Sequence, residues 1–100
     1  MKISVVMPVY NERNFIEQII ARVLAAPVAD KEIIIIDDYS SDGTREVLLA
    51  MAENGLFTLF LHDKNRGKGA ALRTGFSAAT GDIVLVHAKE AIAVVGAEPG

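Results

Sequence analysis

The stretch EIIIIDDYSSDGT, residues 32–44, places four isoleucines directly before two aspartates and a polar turn. An unbroken run of β-branched apolar residues is typical of a strand that is buried on both faces of a parallel sheet. The residues SSDGT then predict a turn with a natural helix cap, followed by a helix at 45–54. Asp37 and Asp38 therefore mark the point where a central strand leaves the core.

The same alternation of apolar strands and helices continues on both sides of this stretch. The apolar spacing from Phe15 to Leu24 predicts a helix capped by Asn11, after a strand that stops near Pro8. Such alternation predicts a parallel sheet with helices on both faces, which binds ligands at the carboxyl ends of its strands. The predicted fold class is thus α/β, a Rossmann-like three-layer sandwich with a mostly parallel sheet. The predicted strands are 3–9, 32–37, 56–62 and 82–87. A further helix is predicted at 70–80, after the one at 45–54.

The bulk composition narrows the class of protein. The net charge is −3, so nucleic acid is not an expected partner. The chain has no cysteine, which excludes disulfides and thiolate metal sites. No apolar run reaches the roughly 18 residues that span a bilayer, and the first residues lack the features of a signal peptide. A cytoplasmic location is therefore expected.

Common nucleotide and hydrolase motifs are missing from the predicted loops. The first strand is followed by PVYNER, without the glycines of the dinucleotide-binding fingerprint. Lys68 stands in a glycine-bearing loop, but position 62 is not the glycine that a P-loop requires. The chain contains neither G-x-S-x-G nor H-E-x-x-H.

Three polar segments at strand ends together offer the contacts that a nucleotide needs. Tyr10 presents a flat face for a base, and the carboxylates of Glu12 and Asp38 can accept hydrogen bonds from a ring N–H or from ribose hydroxyls. Arg66 and Lys68, beside glycines that let backbone N–H groups approach, suit a diphosphate. The segments are PVYNE at 8–12, IDDYSSDGT at 36–44 and NRGKG at 65–69.

The three segments carry a family resemblance. VVMPVYNE, IIIIDDYSSDGT and NRGKGAALRTGFSAATGDIVLV are similar, in this order, to the motifs of family 2 glycosyltransferases with the GT-A fold. Within that family the chain most resembles the polyprenyl-phosphate branch, which includes dolichyl-phosphate mannose synthase. The resemblance covers roughly residues 3 to 86. It implies the N-terminal half of a GT-A fold and a nucleotide-sugar donor linked to UDP or GDP.

The resemblance also assigns residues to the donor pocket. By position, Pro8, Tyr10 and Glu12 would line the nucleotide pocket. Ile36 and Asp38 would contact the base, whereas alternation along the strand points Asp37 elsewhere. The catalytic residues stay unknown.

The family's acidic metal motif is replaced in this chain. Relatives bind Mg²⁺ or Mn²⁺ through carboxylates after the fourth strand, and the ion neutralises the leaving diphosphate. Here the corresponding residues are Ala88, Lys89 and Glu90, so Glu90 is the one candidate metal ligand. Residues 1–86 are therefore predicted to form the nucleotide-sugar-binding βαβαβαβ unit, and 87–100 a diverged or truncated tail.

Two functions follow from these observations. The first is the donor-binding domain of a glycosyltransferase that acts on an acceptor such as a polyprenyl phosphate, at the membrane surface in full-length relatives. The second is a non-catalytic nucleotide-binding or assembly module that lacks the metal motif and the acceptor half. Because a half-domain leaves apolar surface and sheet edges uncovered, self-association is also expected.

Overall fold

The computed structural model describes residues 1–27 and 30–88, and the backbone of a further strand at 92–97. Its elements confirm the predicted alternation of strands and helices. None of the helices in this described part is long and apolar enough to cross a bilayer. In chain order the elements are β1 (Ile3–Val9), α1 (Ile16–Ala25), β2 (Lys31–Asp37), α2 (Thr44–Ala52), β3 (Thr58–Leu61), α3 (Lys68–Ala78), β4 (Ile83–His87) and β5 (Ile92–Ala97).

The strands form one sheet in the order β3-β2-β1-β4-β5. The first four are parallel, and β5 pairs antiparallel with β4. The mostly parallel α/β sheet is therefore confirmed. β5 was not predicted, because the tail was assigned no element of its own.

Helices cover both faces of the sheet, which confirms the three-layer arrangement. On one face α1 and α2 pack through Ile20 and Leu48 against alternate residues of β1 and β2. On the other face α3 packs through Ala71 against the remaining residues of those strands. The sheet side chains of the first face are Val5, Met7, Val9, Ile33 and Ile35, and those of the second are Val6, Ile34 and Ile36.

The predicted first strand, 3–9 and stopping near Pro8, is confirmed, because β1 ends at Val9. β1 pairs with β2 as far as Val9 and Asp37. The N–H of Asp38, the next residue of the chain, donates to the carbonyl oxygen of Val9 at 2.9 Å. The backbone groups of successive residues in a strand point toward opposite neighbouring strands. The carbonyl of Val9 points toward β2, so the nitrogen of Pro8 points toward β4. The pairing with β4 has already ended at Val6, so the missing N–H of Pro8 breaks no ladder bond.

The prediction that Asn11 caps the first helix is wrong. α1 begins at Ile16, and its N-cap residue Phe15 makes no side-chain cap bond. Asn11 instead adopts a left-handed backbone with a φ of 51°. Its side-chain oxygen accepts a hydrogen bond from the N–H of Ser41 at 2.8 Å, so it joins two loops.

Candidate nucleotide site

A cavity lies where the sheet changes direction, between the carboxyl ends of β1 and β4. From β1 the chain passes through α1 to β2, whereas β4 is reached through α3 on the opposite face. Open α/β sheets bind their ligands at such a switch point. The cavity measures about 340 Å³ and is lined by Pro8, Tyr10, Glu12, Asp38, Asn65, Gly67, Lys68, Ala71 and Ala88.

Asp38 is the buried carboxylate of this cavity, with 4% of its surface exposed. Its Oδ1 accepts hydrogen bonds from the N–H of Arg66 and from Nδ1 of His62, both at 2.9 Å. Its Oδ2 accepts the N–H of Gly67 at 2.9 Å. Burial by itself raises the pKa of Asp38, but the Arg66 N–H, His62 and the Gly67 N–H together bring it below the usual value. The carboxylate is therefore ionised at neutral pH.

His62 connects Asp38 to α3 from behind the cavity. Its Nδ1 faces the ionised Asp38 and must carry a proton, while its Nε2 lies 2.9 Å from Oγ1 of Thr74. The same hydroxyl also lies 3.1 Å from the carbonyl of Ala70. The end of β3 and the middle of α3 are thus fixed to one carboxylate.

Two loops are joined beside the cavity through reciprocal side-chain bonds. The N–H of Asn11 donates to Oγ of Ser40 at 2.8 Å, and the Asn11 side chain accepts from Ser41. The N–H of Glu12 donates to Oγ1 of Thr44 at 2.9 Å. These bonds fix the backbone that carries Tyr10 and Glu12 relative to β2 and α2.

Asp37 lies on the opposite side of the sheet from Asp38, as alternation along the strand predicts. Its side chain is fully buried. Oδ2 accepts the N–H of Ser40 at 3.0 Å and lies 3.8 Å from Nε of Arg45. Arg45 also stacks 5.5 Å from the ring centre of Tyr39. Asp37 therefore supports the loop that follows β2 and does not line the cavity.

The beginning of α3 forms one wall of the cavity. Gly67 precedes the helix with a φ of 93°, a conformation that glycine adopts at little cost. Ala71 makes the first bond of the helix, to the carbonyl of Gly67, so the N–H groups of the first turn are directed outward. Lys68, the first helical residue, forms no ion pair within residues 1–27 and 30–88.

The fold brings together most, but not all, of the predicted site residues. Pro8, Tyr10, Glu12, Asp38 and Lys68 all line the cavity.

Two predicted residues stand apart from the cavity, and a third is not described. Ile36 is fully buried in the core beneath α3, and its side chain is not part of the wall. The guanidinium of Arg66 lies 3.0 Å from Asp63 and outside the lining, although its N–H reaches Asp38. Glu90, with Lys89, lies outside the described residues.

Sequence reasoning missed the roles of His62 and Asn65. His62 belongs to none of the three motif segments, but it follows β3 just as Asp38 follows β2. The rule that strand ends converge at one edge could have placed it beside Asp38. Asn65 lines the cavity, and its Nδ2 lies 3.5 Å from the carbonyl of Asp38.

The described residues offer a poor set of ligands for a divalent cation. The carboxylates that line the cavity are Glu12 and Asp38, and three donors already occupy Asp38. Ala88 stands in the wall without a side-chain ligand atom. Within the described part of the chain no group of three acidic, histidine or cysteine side chains could hold a metal ion.

A ligand cavity at the switch point of an α/β sheet, lined by side chains that suit a nucleotide, is typical of a nucleotide-binding domain. The chain belongs to glycosyl transferase family 2, whose model matches residues 4–87. It is 39% identical over 85 residues to an uncharacterized glycosyltransferase of Nostoc sp., covering 84% of this chain and 26% of that protein.

Solved structures agree with this assignment. The mannosyltransferase PcManGT of Pyrobaculum calidifontis, in complex with GDP-Man and Mn²⁺, matches with 33% identity and a TM-score of 0.76, over 86% of this chain and 26% of that one. TarS 1-349 of S. aureus, in complex with UDP-GlcNAc, matches with 25% identity and a TM-score of 0.78, over 88% of this chain and 26% of that one. The predicted GT-A type of fold is confirmed. The chain spans about a quarter of the length of each relative.

Proposed function

We propose that this chain binds the nucleotide part of a nucleotide-sugar, linked to UDP or GDP, and forms the donor side of a glycosyltransferase. The observation that carries the proposal is the cavity at the β1–β4 switch point, where Tyr10, Asp38 and Lys68 meet. These side chains supply a ring face, a carboxylate and a cation. A base, a ribose and a diphosphate need these three kinds of contact.

Each side chain has a distinct role in the proposed complex. Tyr10, with 48% of its surface exposed, stacks on the base. Asp38 accepts a ring N–H, and Glu12 accepts a ribose hydroxyl. Lys68 and the outward N–H groups at the start of α3 bind the diphosphate, where the helix dipole favours negative charge.

The acceptor belongs to the same proposal at a finer level. The sequence most resembles the polyprenyl-phosphate branch, so we propose a polyprenyl phosphate as the acceptor and the cytoplasmic membrane surface as the place of reaction. In the transfer, an acceptor oxygen forms a bond to the anomeric carbon, and the bond from that carbon to the diphosphate breaks. Mg²⁺ or Mn²⁺ is the expected companion of the diphosphate in this family.

A second candidate function is a nucleotide-binding or assembly module without transfer activity. Ala88 favours it, because this methyl side chain lines the cavity where relatives carry the first acid of the metal motif. Such a module would bind its nucleotide equally well with and without a divalent cation. Self-association of the chain would suit an assembly role and can be measured by sedimentation velocity.

Calorimetric titration with UDP and GDP, each with Mn²⁺ and with a chelator, tests the proposal. Binding that strengthens with Mn²⁺ supports the transferase, and a radiolabelled sugar-transfer assay with polyprenyl phosphate then follows. Binding that ignores Mn²⁺ supports the module. Lys68→Ala removes the side chain proposed to bind the diphosphate and should weaken nucleotide binding. Arg66→Ala is its matched control, because of these two side chains that of Lys68 lines the cavity and that of Arg66 does not. If neither nucleotide binds, both functions are rejected.

A further inference from the structure

A second cavity lies on the opposite face of the sheet from the nucleotide cavity, under the end of α1 and beside β4. It measures about 330 Å³. Most of its wall is apolar, and we call it the apolar cavity. The apolar side chains of the wall are Ile3, Val5, Val23, Ala26 and Leu85. The proposed donor complex gives this space no role.

The apolar cavity extends along β1 and β4 and matches an extended chain. Ile3 pairs with Ile83 at one end, and His87 lies four residues further along β4 at the other end. Four residues of strand span about 13 Å. An extended hydrocarbon chain advances by about 1.3 Å per carbon, because its bonds are about 1.5 Å long. The length of the cavity therefore corresponds to about ten carbon atoms in a row.

Two cationic side chains, Arg22 and Lys31, close the end of the apolar cavity beside Ile3. Nζ of Lys31 donates to the carbonyl of Ala26 at 2.9 Å, so the protein itself already uses this charge. Arg22 is exposed, and water and salt screen its charge. Such side chains cover apolar surface with their methylene groups and keep the charge outside. This end therefore fits the tail of a ligand better than a charged head.

The other end of the apolar cavity carries a polar atom without a partner. Nδ1 of His87 is buried and makes no hydrogen bond to the described residues. A buried polar atom without a partner is costly, and in native proteins it calls for an explanation such as a functional role. His87 also lines a narrow pocket that shares Pro8, Glu12 and Ala88 with the nucleotide cavity. The imidazole therefore stands between the two cavities.

We propose that the apolar cavity binds the hydrocarbon chain of the acceptor and that His87 binds its phosphate. The inference rests on the proposed function and adds the place of the acceptor. The ligand class is a phosphate monoester of a single long hydrocarbon chain, with its tail toward Arg22 and its head toward the nucleotide cavity. An ionised phosphate oxygen has no proton to lose before it bonds to the anomeric carbon. His87 therefore serves as a hydrogen-bond donor to the phosphate, not as a base.

The test is calorimetric titration of the 100-residue chain with hexyl, octyl, decyl and dodecyl phosphate, each below its micelle concentration. Affinity should rise about fourfold for each added methylene group and level off beyond about ten carbons, where the cavity ends. Absence of decyl phosphate binding overturns the inference. Titration of the same preparation with UDP and GDP reports on the proposed function separately. Absence of nucleotide binding rejects that function, and the acceptor role with it.

Decanol and decanoate identify the head group that the site prefers. Decyl phosphate should bind at least about tenfold more tightly than decanol, because the alcohol lacks the charge-assisted bond to His87. A fatty acid offers the same apolar chain with a carboxylate head, and decanoate represents it. Decanoate binding as tightly as decyl phosphate would assign the cavity to a fatty acid and overturn the acceptor role.

Ala26→Phe fills part of the apolar cavity, since Ala26 is a half-buried residue of its wall. Affinity for decyl phosphate should fall at least about tenfold, the effect of displacing roughly two methylene groups. Ala25→Phe is the matched control, because Ala25 is exposed and lies outside the wall. Both variants should bind nucleotide as the original chain does. Equal affinity for decyl phosphate in the two folded variants overturns the inference.

His87→Leu tests the phosphate contact while it keeps the wall apolar. Affinity for decyl phosphate should fall about tenfold, whereas affinity for decanol should stay unchanged, a difference that a purely structural role would not produce. Arg22→Gln tests the opposite orientation of the ligand and should leave both affinities unchanged. A loss of decyl phosphate affinity in Arg22→Gln, with none in His87→Leu, would place the phosphate at the other end and overturn the inference.

Discussion

Oδ1 of Asp38 lies 2.9 Å from Nδ1 of His62, and both side chains are almost fully buried. The other ring nitrogen of His62 lies 2.9 Å from Oγ1 of Thr74 in the middle of α3. His62 does not line the cavity. It therefore acts on a ligand only through Asp38, whose direction it fixes from behind, and we regard it as a positioning residue.

Replacing His62 should weaken nucleotide binding without removing any contact to the ligand. His62→Phe leaves Oδ1 of Asp38 with one donor fewer, so the carboxylate can rotate, and we expect affinity for the preferred nucleotide to fall about tenfold. Stability should fall by about 1–3 kcal/mol because a buried charge-assisted bond is lost. Calorimetry and chemical denaturation measure the two effects.

Two further variants separate positioning from general stability. His62→Asn keeps an N–H donor toward Asp38 and should recover part of the affinity. Thr74→Val removes the partner of Nε2 and keeps the bond to Asp38, so it should lower stability more than affinity. Equal affinity in the original chain and a folded His62→Phe chain would contradict the positioning role.

The lowered pKa of Asp38 predicts a loss of stability in acid. Its ordinary pKa is 3.8, and in the fold the pKa is lower because three donors stabilise the ionised form. The contribution is fully present above pH 3.8 and disappears as the pH falls through the lower, folded value. Urea denaturation between pH 7 and pH 2 should show this loss in the original chain.

Asp38→Asn serves as the control for this pH dependence, since its amide does not titrate. Glu32 and Asp42 also have lowered pKa values in the fold, so some acid sensitivity should persist in the variant. The difference between the two curves isolates Asp38. Parallel curves across the whole range would show that Asp38 has the same pKa in the folded and unfolded chains.

The fold could be predicted from sequence because its signals are local. The isoleucines of β2 and the helical spacing after Phe15 fix the elements, and their order fixes a parallel sheet. The site was harder, because its contacts are long-range. Asp38 meets Arg66, 28 residues away, through a backbone N–H, and no residue type reveals such a contact. Ile36 was assigned to the base from resemblance, yet its side chain belongs to the core.

Asn11 provides a test of how the two loops beside the cavity are joined. Asn11→Ala removes the acceptor for the Ser41 N–H and places alanine at a φ of 51°, which asparagine tolerates better. We expect a loss of about 1–2 kcal/mol in stability and weaker nucleotide binding, because Tyr10 and Glu12 lose their fixed backbone.

Asn11→Gly is the matched variant, since it removes the same hydrogen bond but permits the left-handed backbone. It should be more stable than Asn11→Ala, although both should bind nucleotide less tightly than the original chain. Equal stability of the two variants would mean that the backbone conformation at position 11 carries no cost.

Gly75 should be the least replaceable glycine of α3. A Cβ atom at this position would clash with Cγ1 of Val6 and lie 2.9 Å from Cδ1 of Ile36, two buried side chains of the sheet. Because a tightly packed core cannot yield, we expect Gly75→Ala to destabilise the chain by about 1–3 kcal/mol. This loss should appear despite the gain in helix propensity, which is roughly 1 kcal/mol for alanine over glycine.

Gly69→Ala is the control in the same helix, where the nearest atom to an added Cβ is Nη1 of Arg73 at 3.6 Å. That distance is an ordinary contact with a flexible side chain, so the variant should be as stable as the original chain or more stable. Thermal and urea denaturation of both variants give the comparison. Since α3 also carries the Gly67–Lys68 wall of the cavity, a shift of the helix in Gly75→Ala should lower nucleotide affinity as well. An unchanged or raised stability for Gly75→Ala would show that α3 lies further from β1 than this packing requires.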